Sequence, residues 1–136
     1  MAKYLGAYLA TLIVMVAIDL VWLGVVARPL YQRGIGHLMA ENANLPFAAL
    51  FYLMYTFGLV YLGIAPNAST AGVKSAFFAG ASLGFFAYAT YDLTNLAVLR
   101  GWPVWLAAID MAWGTLISGV AAAGGKMALD RFARGN

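Results

Sequence analysis

The chain has 136 residues, 64% hydrophobic and 10% charged, with five acidic side chains, eight basic ones, one histidine and no cysteine. Soluble domains carry about 25% charged residues, so this composition excludes a soluble globular protein and points to an integral membrane protein. Disulfides, thiolate metal sites and imidazole-rich metal sites are excluded with it. The mean hydropathy of +0.82 agrees, and although the pI near 9.3 is basic, the Lys and Arg residues are spread among segment ends. That spread fits topology charges rather than a phosphate-binding surface, and no nucleic-acid partner is expected.

Crossing roughly 30 Å of hydrocarbon takes about twenty apolar residues in a helix. Four stretches qualify in chain order: 4–27, 47–64, 73–99 and 103–127. No alternating ten-residue pattern suggests a barrel, so the expected fold is a single all-α domain, a bundle of four transmembrane helices. The first stretch follows MAK and resembles a signal peptide, but its length, Asp19 and Trp22 argue that it is retained. The first connection, RPLYQRGIGHLMAENANLP, reads as a long loop, with His37, Glu41 and Asn42 as solvated polar residues. The third, Arg100 to Trp102, is so short that the last two helices must form an antiparallel hairpin. Trp102 and Trp105 then lie where interfacial belt residues are found. With the N-terminus cytoplasmic, Lys3, Lys74, Lys126, Arg131 and Arg134 share that side, against Arg28, Arg33 and Arg100 on the other. The majority of basic residues predicts that both termini are cytoplasmic.

Three of the five acidic residues, Asp19, Asp92 and Asp110, fall inside spans. Asp19 precedes Arg28 by nine residues, Asp92 precedes Arg100 by eight, and Asp110 follows Pro103 by seven. At about 1.5 Å per residue, all three lie about 10 to 14 Å below one membrane face. Helical phase adds direction. Ala81, Gly84, Tyr88, Tyr91, Asp92 and Asn95 share an arc of about 100°, with Thr90 and Thr94 opposite. Asp110, Gly114, Ser118, Ala121 and Gly125 share another arc, as do Tyr4, Tyr8, Thr11, Met15, Asp19 and Trp22. Small residues beside a carboxylate mark a packed face in lipid, so the three aspartates are expected to point into one interior volume. Gly80 and Gly84 also fit GxxxG, a weak sign of a homodimer.

The octets DLVWLGVV from Asp19 and DLTNLAVL from Asp92 match at four positions, which suggests two related helical hairpins. AIDLVW at 17–22 and AIDMAW at 108–113 each set a Trp three residues after an Asp. These segments, with FYLMYTFG, YDLTNLAVLRGWP and IDMAWGTLISG, resemble the domain of unknown function 2177 family of small bacterial membrane proteins over essentially the whole chain. The resemblance implies a four-helix inner-membrane protein and a loose association with neighbours acting on membrane fatty acids. It carries over no catalytic residue.

The chemistry of the candidate site follows from its residues. No Lys or Arg lies deep in a span, so the acids are expected without internal salt bridges. A buried charge is costly in hydrocarbon, and close carboxyls share protons as a group. Asp19, Asp92, Asp110, Asn95, Tyr88, Tyr91, Trp22 and Trp113 form the expected ligand-binding set. Their oxygens suit a proton, a hard cation such as Na⁺, Mg²⁺ or Ca²⁺, or the head of a lipid-like ligand. Metalloprotease, hydrolase, phosphate-loop, dinucleotide and desaturase motifs are missing, so no cofactor is expected and enzyme chemistry is disfavoured. Membrane lipids are the expected surroundings. A proton- or cation-coupled transporter acting as a dimer, and an accessory subunit of a larger membrane complex whose aspartates only hold helices together, are the other readings.

Overall fold

Pro29, Pro46 and Pro103 each stand at the start of a helix, where a missing N–H costs nothing. Gly72 and Gly101, both at positive φ, make the turns before and between the last two helices. The computed structural model describes residues 1–135 and is helical, with no strand among them. Helix α1 spans Ala2–Val21 and runs on as a π-helical turn, Trp22–Val26. A short α2, Arg28–Ile35, crosses the end of the bundle and is followed by a 3₁₀ turn, Gly36–Leu38. Helix α3, Leu45–Gly58, also ends in a π-helical stretch, Leu59–Ile64. Helices α4, Lys74–Val98, and α5, Val104–Arg134, complete the chain.

Two boundaries differ from the sequence expectation. The connection after α1 holds a helix rather than a plain loop, because Pro29 to Ile35 is polar enough to evade a hydropathy reading but has a partner surface on α5. Gly34 sits against Leu106, Pro103 and Trp105, and the Arg33 guanidinium lies 5.2 Å from the Trp105 ring centre. The last helix continues to Arg134 instead of ending at 127. This brings Lys126 inside it, 1% exposed, with Nζ donating to the Thr70 carbonyl at 2.8 Å and to both Asp130 oxygens at 2.7 and 2.8 Å. A cation is therefore buried in the bundle after all, at the end opposite the three aspartates.

By length and composition, three helical segments are able to cross a membrane: Ala2–Val26, Leu45–Asn67 and Val104–Arg134. Helix α4 has the length, but its Gly, Ser, Thr and Tyr content lowers its hydropathy. Those residues serve packing. A methyl group built on Gly84 would lie 2.4 Å from the Gly114 carbonyl oxygen, and one on Gly80 would lie 2.7 Å from that of Ser118. The Gly80/Gly84 face is thus occupied by α5 of the same chain, as the expected antiparallel hairpin requires. Below it, Ala7, Val60, Ile64, Ala122 and Leu129 form one buried cluster, and Met15, Tyr55, Leu59, Ile117 and Ala121 form another. Leu5, Ile13, Leu20, Leu50, Met54, Phe57, Phe86 and Leu93 point outward and are mostly exposed, as a hydrocarbon-facing surface would be.

Candidate functional site

The packed faces expected from helical phase are largely those observed. Thr11, Met15 and Asp19 on α1, Ala81, Gly84 and Asp92 on α4, and Asp110, Gly114, Ser118, Ala121 and Gly125 on α5 are all buried. Thr90 and Thr94 are exposed and donate back to carbonyls of their own helix, Thr90 to Phe86 at 2.6 Å. Tyr91 lies at the edge of its expected face: it is 53% exposed, standing one residue, about 100°, from Asp92. Its ring meets Trp102 edge-on at 5.6 Å.

The three carboxyl groups lie at one end of the bundle and divide into two settings. Asp19 is satisfied by two donors, the hydroxyl of Tyr52 and the indole N–H of Trp113, the latter at 3.1 Å. Trp113 in turn stacks on Trp22, with ring centres 4.2 Å apart and planes within 9°. The π-helical turn opens at Trp22; such turns re-aim the side chains they carry, often at functional sites.

Asp92 and Asp110 form the second setting, a carboxyl pair contributed by α4 and α5. Asp110 is 7% exposed and accepts a 2.5 Å hydrogen bond at Oδ1 from the hydroxyl of Tyr31. Tyr31 belongs to α2, outside the long spans, and burial followed by this bond pushes its phenol above the ordinary range, so it remains a neutral donor. Asp92 is 1% exposed and lies beside the Asp110 carboxyl and the Trp102 indole without a hydrogen bond to either. Among the described residues no donor is placed on either Asp92 oxygen or on Asp110 Oδ2, and no acceptor faces the indole N–H groups of Trp22 and Trp102. The result is a buried polar cluster of Trp102, Asp92, Asp110 and Tyr31, in which Tyr31 donates to Asp110 and the other polar atoms have no partner among the described residues. Trp102 is half-buried, and its indole N–H has no acceptor among the described residues.

A cavity of about 300 Å³ adjoins the pair, lined by Phe51 and Tyr55 of α3, Ala87, Tyr88 and Tyr91 of α4, and Asp110. Tyr55 shares a 2.6 Å hydrogen bond with Ser118, which fixes one wall. Gly114 lets Tyr88 lie flat on α5: a methyl group built there would be 2.1 Å from the Tyr88 ring. Asn95 is half-buried beyond Asp92 and does not line this cavity. His37, Glu41 and Asn42 stay exposed. Tyr31, Tyr52 and Tyr55 were not among the expected site residues. The signal for Tyr52 and Tyr55 was present in the sequence, since they stand three apart on α3 and thus share its inner face; Tyr31 lay in a segment read as a loop. Among the described residues, no three carboxyl, imidazole or thiol groups come together as ligands for a metal ion.

The family model described as "Predicted membrane protein (DUF2177)" matches residues 4–127. No curated protein and no solved structure matches the chain.

Proposed function

The chain belongs to the DUF2177 family of predicted membrane proteins, and from that premise we propose that it binds the polar head of an amphiphile drawn from the bilayer, in the cleft between α3 and α4. The cavity ending on Asp110 carries this reading. Its walls come from two helices whose outer faces are apolar, so a ligand reaches it sideways from hydrocarbon, and its volume lies at the lower end of the range for small-molecule sites. Asp110 supplies the carboxyl group that meets the head group, while Asp19, already bonded twice, fixes Trp113 and the Trp22 stacked on it in a separate setting.

In this reading α4 is a fourth crossing, since 25 residues extend about 37 Å. An even number of crossings puts both termini on one side, the cytoplasmic side of a bacterial inner membrane by its majority of Lys and Arg. Coupled transport by a dimer is the second reading, favoured by one observation: Asp92 has no aligned partner, as a residue that takes up and releases a proton requires.

Filling the cavity tests the proposal. Ala87→Trp occupies the space and keeps both aspartates. Protein purified in native lipid discs is extracted and its retained lipids are identified by mass spectrometry. The wild type should hold one amphiphile class enriched over the bulk membrane, and the variant should lose that enrichment. Identical lipid profiles in both would contradict ligand binding at this site.

A further inference from the structure

Four of the six residues lining the cavity are aromatic, and the sole charged group among them is a carboxyl. Phe51 and Tyr55 stack at 5.3 Å with planes 17° apart, and Tyr55 meets Tyr88 at 6.4 Å and 69°, so the rings form a corner rather than a single flat wall. Tyr91 closes the rim. Asp110, 93% removed from solvent, contributes to this corner and has an oxygen, Oδ2, with no partner. Rings with electron-rich faces around a carboxylate attract a cation that is large, soft and weakly hydrated. A metal ion would instead need several oxygen ligands at short range, and the aromatic walls do not supply them. An uncharged head would leave the Asp110 carboxylate uncompensated in a low-dielectric site.

We propose that the cavity is an aromatic cage for an alkylated ammonium group, so that the amphiphile recognised here is cationic at its head. This rests on the amphiphile-binding reading and narrows it. The Tyr55–Ser118 bond and the Tyr88–Gly114 contact hold two walls in place before the ligand arrives, which reduces the ordering cost of binding. The cation settles against Asp110, and its alkyl chain runs out between α3 and α4 toward the lipid.

The test uses the whole chain reconstituted in discs of uncharged lipid. Saturable binding of radiolabelled octyltrimethylammonium is measured, then competed with three unlabelled compounds: the same ammonium, the hydrocarbon in which carbon replaces its nitrogen, and octyl sulfate. The ammonium should compete at least about tenfold better than the hydrocarbon, the scale of a desolvated cation–aromatic contact, and octyl sulfate should not compete. Asp110→Asn and Phe51→Leu should each weaken ammonium binding several-fold, whereas Tyr88→Phe, which keeps the ring, should retain it. Because Phe51 is partly exposed, its variant separates loss of the cage from loss of the fold. Equal competition by the hydrocarbon would overturn the ammonium assignment and leave the amphiphile pocket standing. The absence of saturable binding by either compound, with wild-type folding, would overturn both.

Discussion

Asp92 and Asp110 are each more than nine-tenths buried, and between them only Asp110 Oδ1 has a protein donor aligned on it. Interhelical hydrogen bonds in lipid average about 0.6 kcal/mol, so the few in this cluster orient side chains but do not hold the bundle together. Replacing one member of a contacting pair leaves the other facing an apolar group. Asp92→Leu and Asp110→Leu should therefore each destabilise by about 1 to 3 kcal/mol. The double variant should cost less than the sum, with a coupling of about 0.5 to 3 kcal/mol. Denaturant titration in detergent measures all three, and strictly additive costs would show that the two carboxyls do not meet. At this scale much of the site was legible in the sequence. A common depth and the positions of Gly84, Gly114 and Ser118 already implied that the aspartates face inward. Tyr91, at the edge of the helical arc, is half exposed and still lines the cavity, a placement that helical phase alone does not resolve.

At the level of elements, α2 determines how the site is closed. The segment after Ala27 is short, polar on average and holds Pro29, Gly34 and Gly36, so its hydropathy and composition mark it as loop. It folds as a helix because Gly34 admits the Leu106 and Pro103 side chains and Tyr31 reaches Asp110. Removing that hydroxyl should release α2 while leaving the long helices intact. In Tyr31→Phe, backbone hydrogen exchange should rise at least several-fold across 28–38 and stay unchanged in α4 and α5; unchanged exchange in α2 would mean that Gly34 and Arg33 suffice to hold it. The end of α5 was missed for a related reason. Lys126 looked like a terminal topology charge, and only its pairing with Asp130 and the Thr70 carbonyl allows the helix to bury it. Uncompensated, that ammonium would be costly at such burial.

Over the whole molecule, polarity separates by end. The acid pair, Asp19 and most of the inward-facing aromatic residues gather at one end, beneath α2 and the α4–α5 turn, and Lys126, Arg131 and Arg134 lie at the other. On the proposed topology of four crossings, the end of α5 and the segment after α1 lie on opposite sides of the membrane. A periplasm-active reporter should therefore be silent when fused after Arg134 and active when inserted at Glu41. Activity at both positions would remove α4 from the list of crossings. The all-helical character and the α4–α5 hairpin could be read from composition and loop length; the depression of α4 hydropathy reflects its close packing on α5, where Gly and Ser replace the bulky apolar residues of a lipid-facing helix.

The central claim is that an amphiphile enters between α3 and α4, and covalent capture tests it most directly. A single-chain amphiphile with a photoreactive group beside its head is added to membranes containing the wild-type protein and irradiated, and the labelled residues are identified by peptide mass spectrometry. The site predicts labels concentrated on Phe51, Tyr55, Ala87 and Tyr91, the cavity walls, with loss of those labels in Ala87→Trp. An alternative surface exists for comparison: the larger apolar groove between α1 and α3, about 690 Å³, lined by Leu12, Val16, Leu20 and Leu53 among others and lacking any carboxyl. Labels found mainly in that groove, or spread evenly over the outward faces of all helices, would contradict the account.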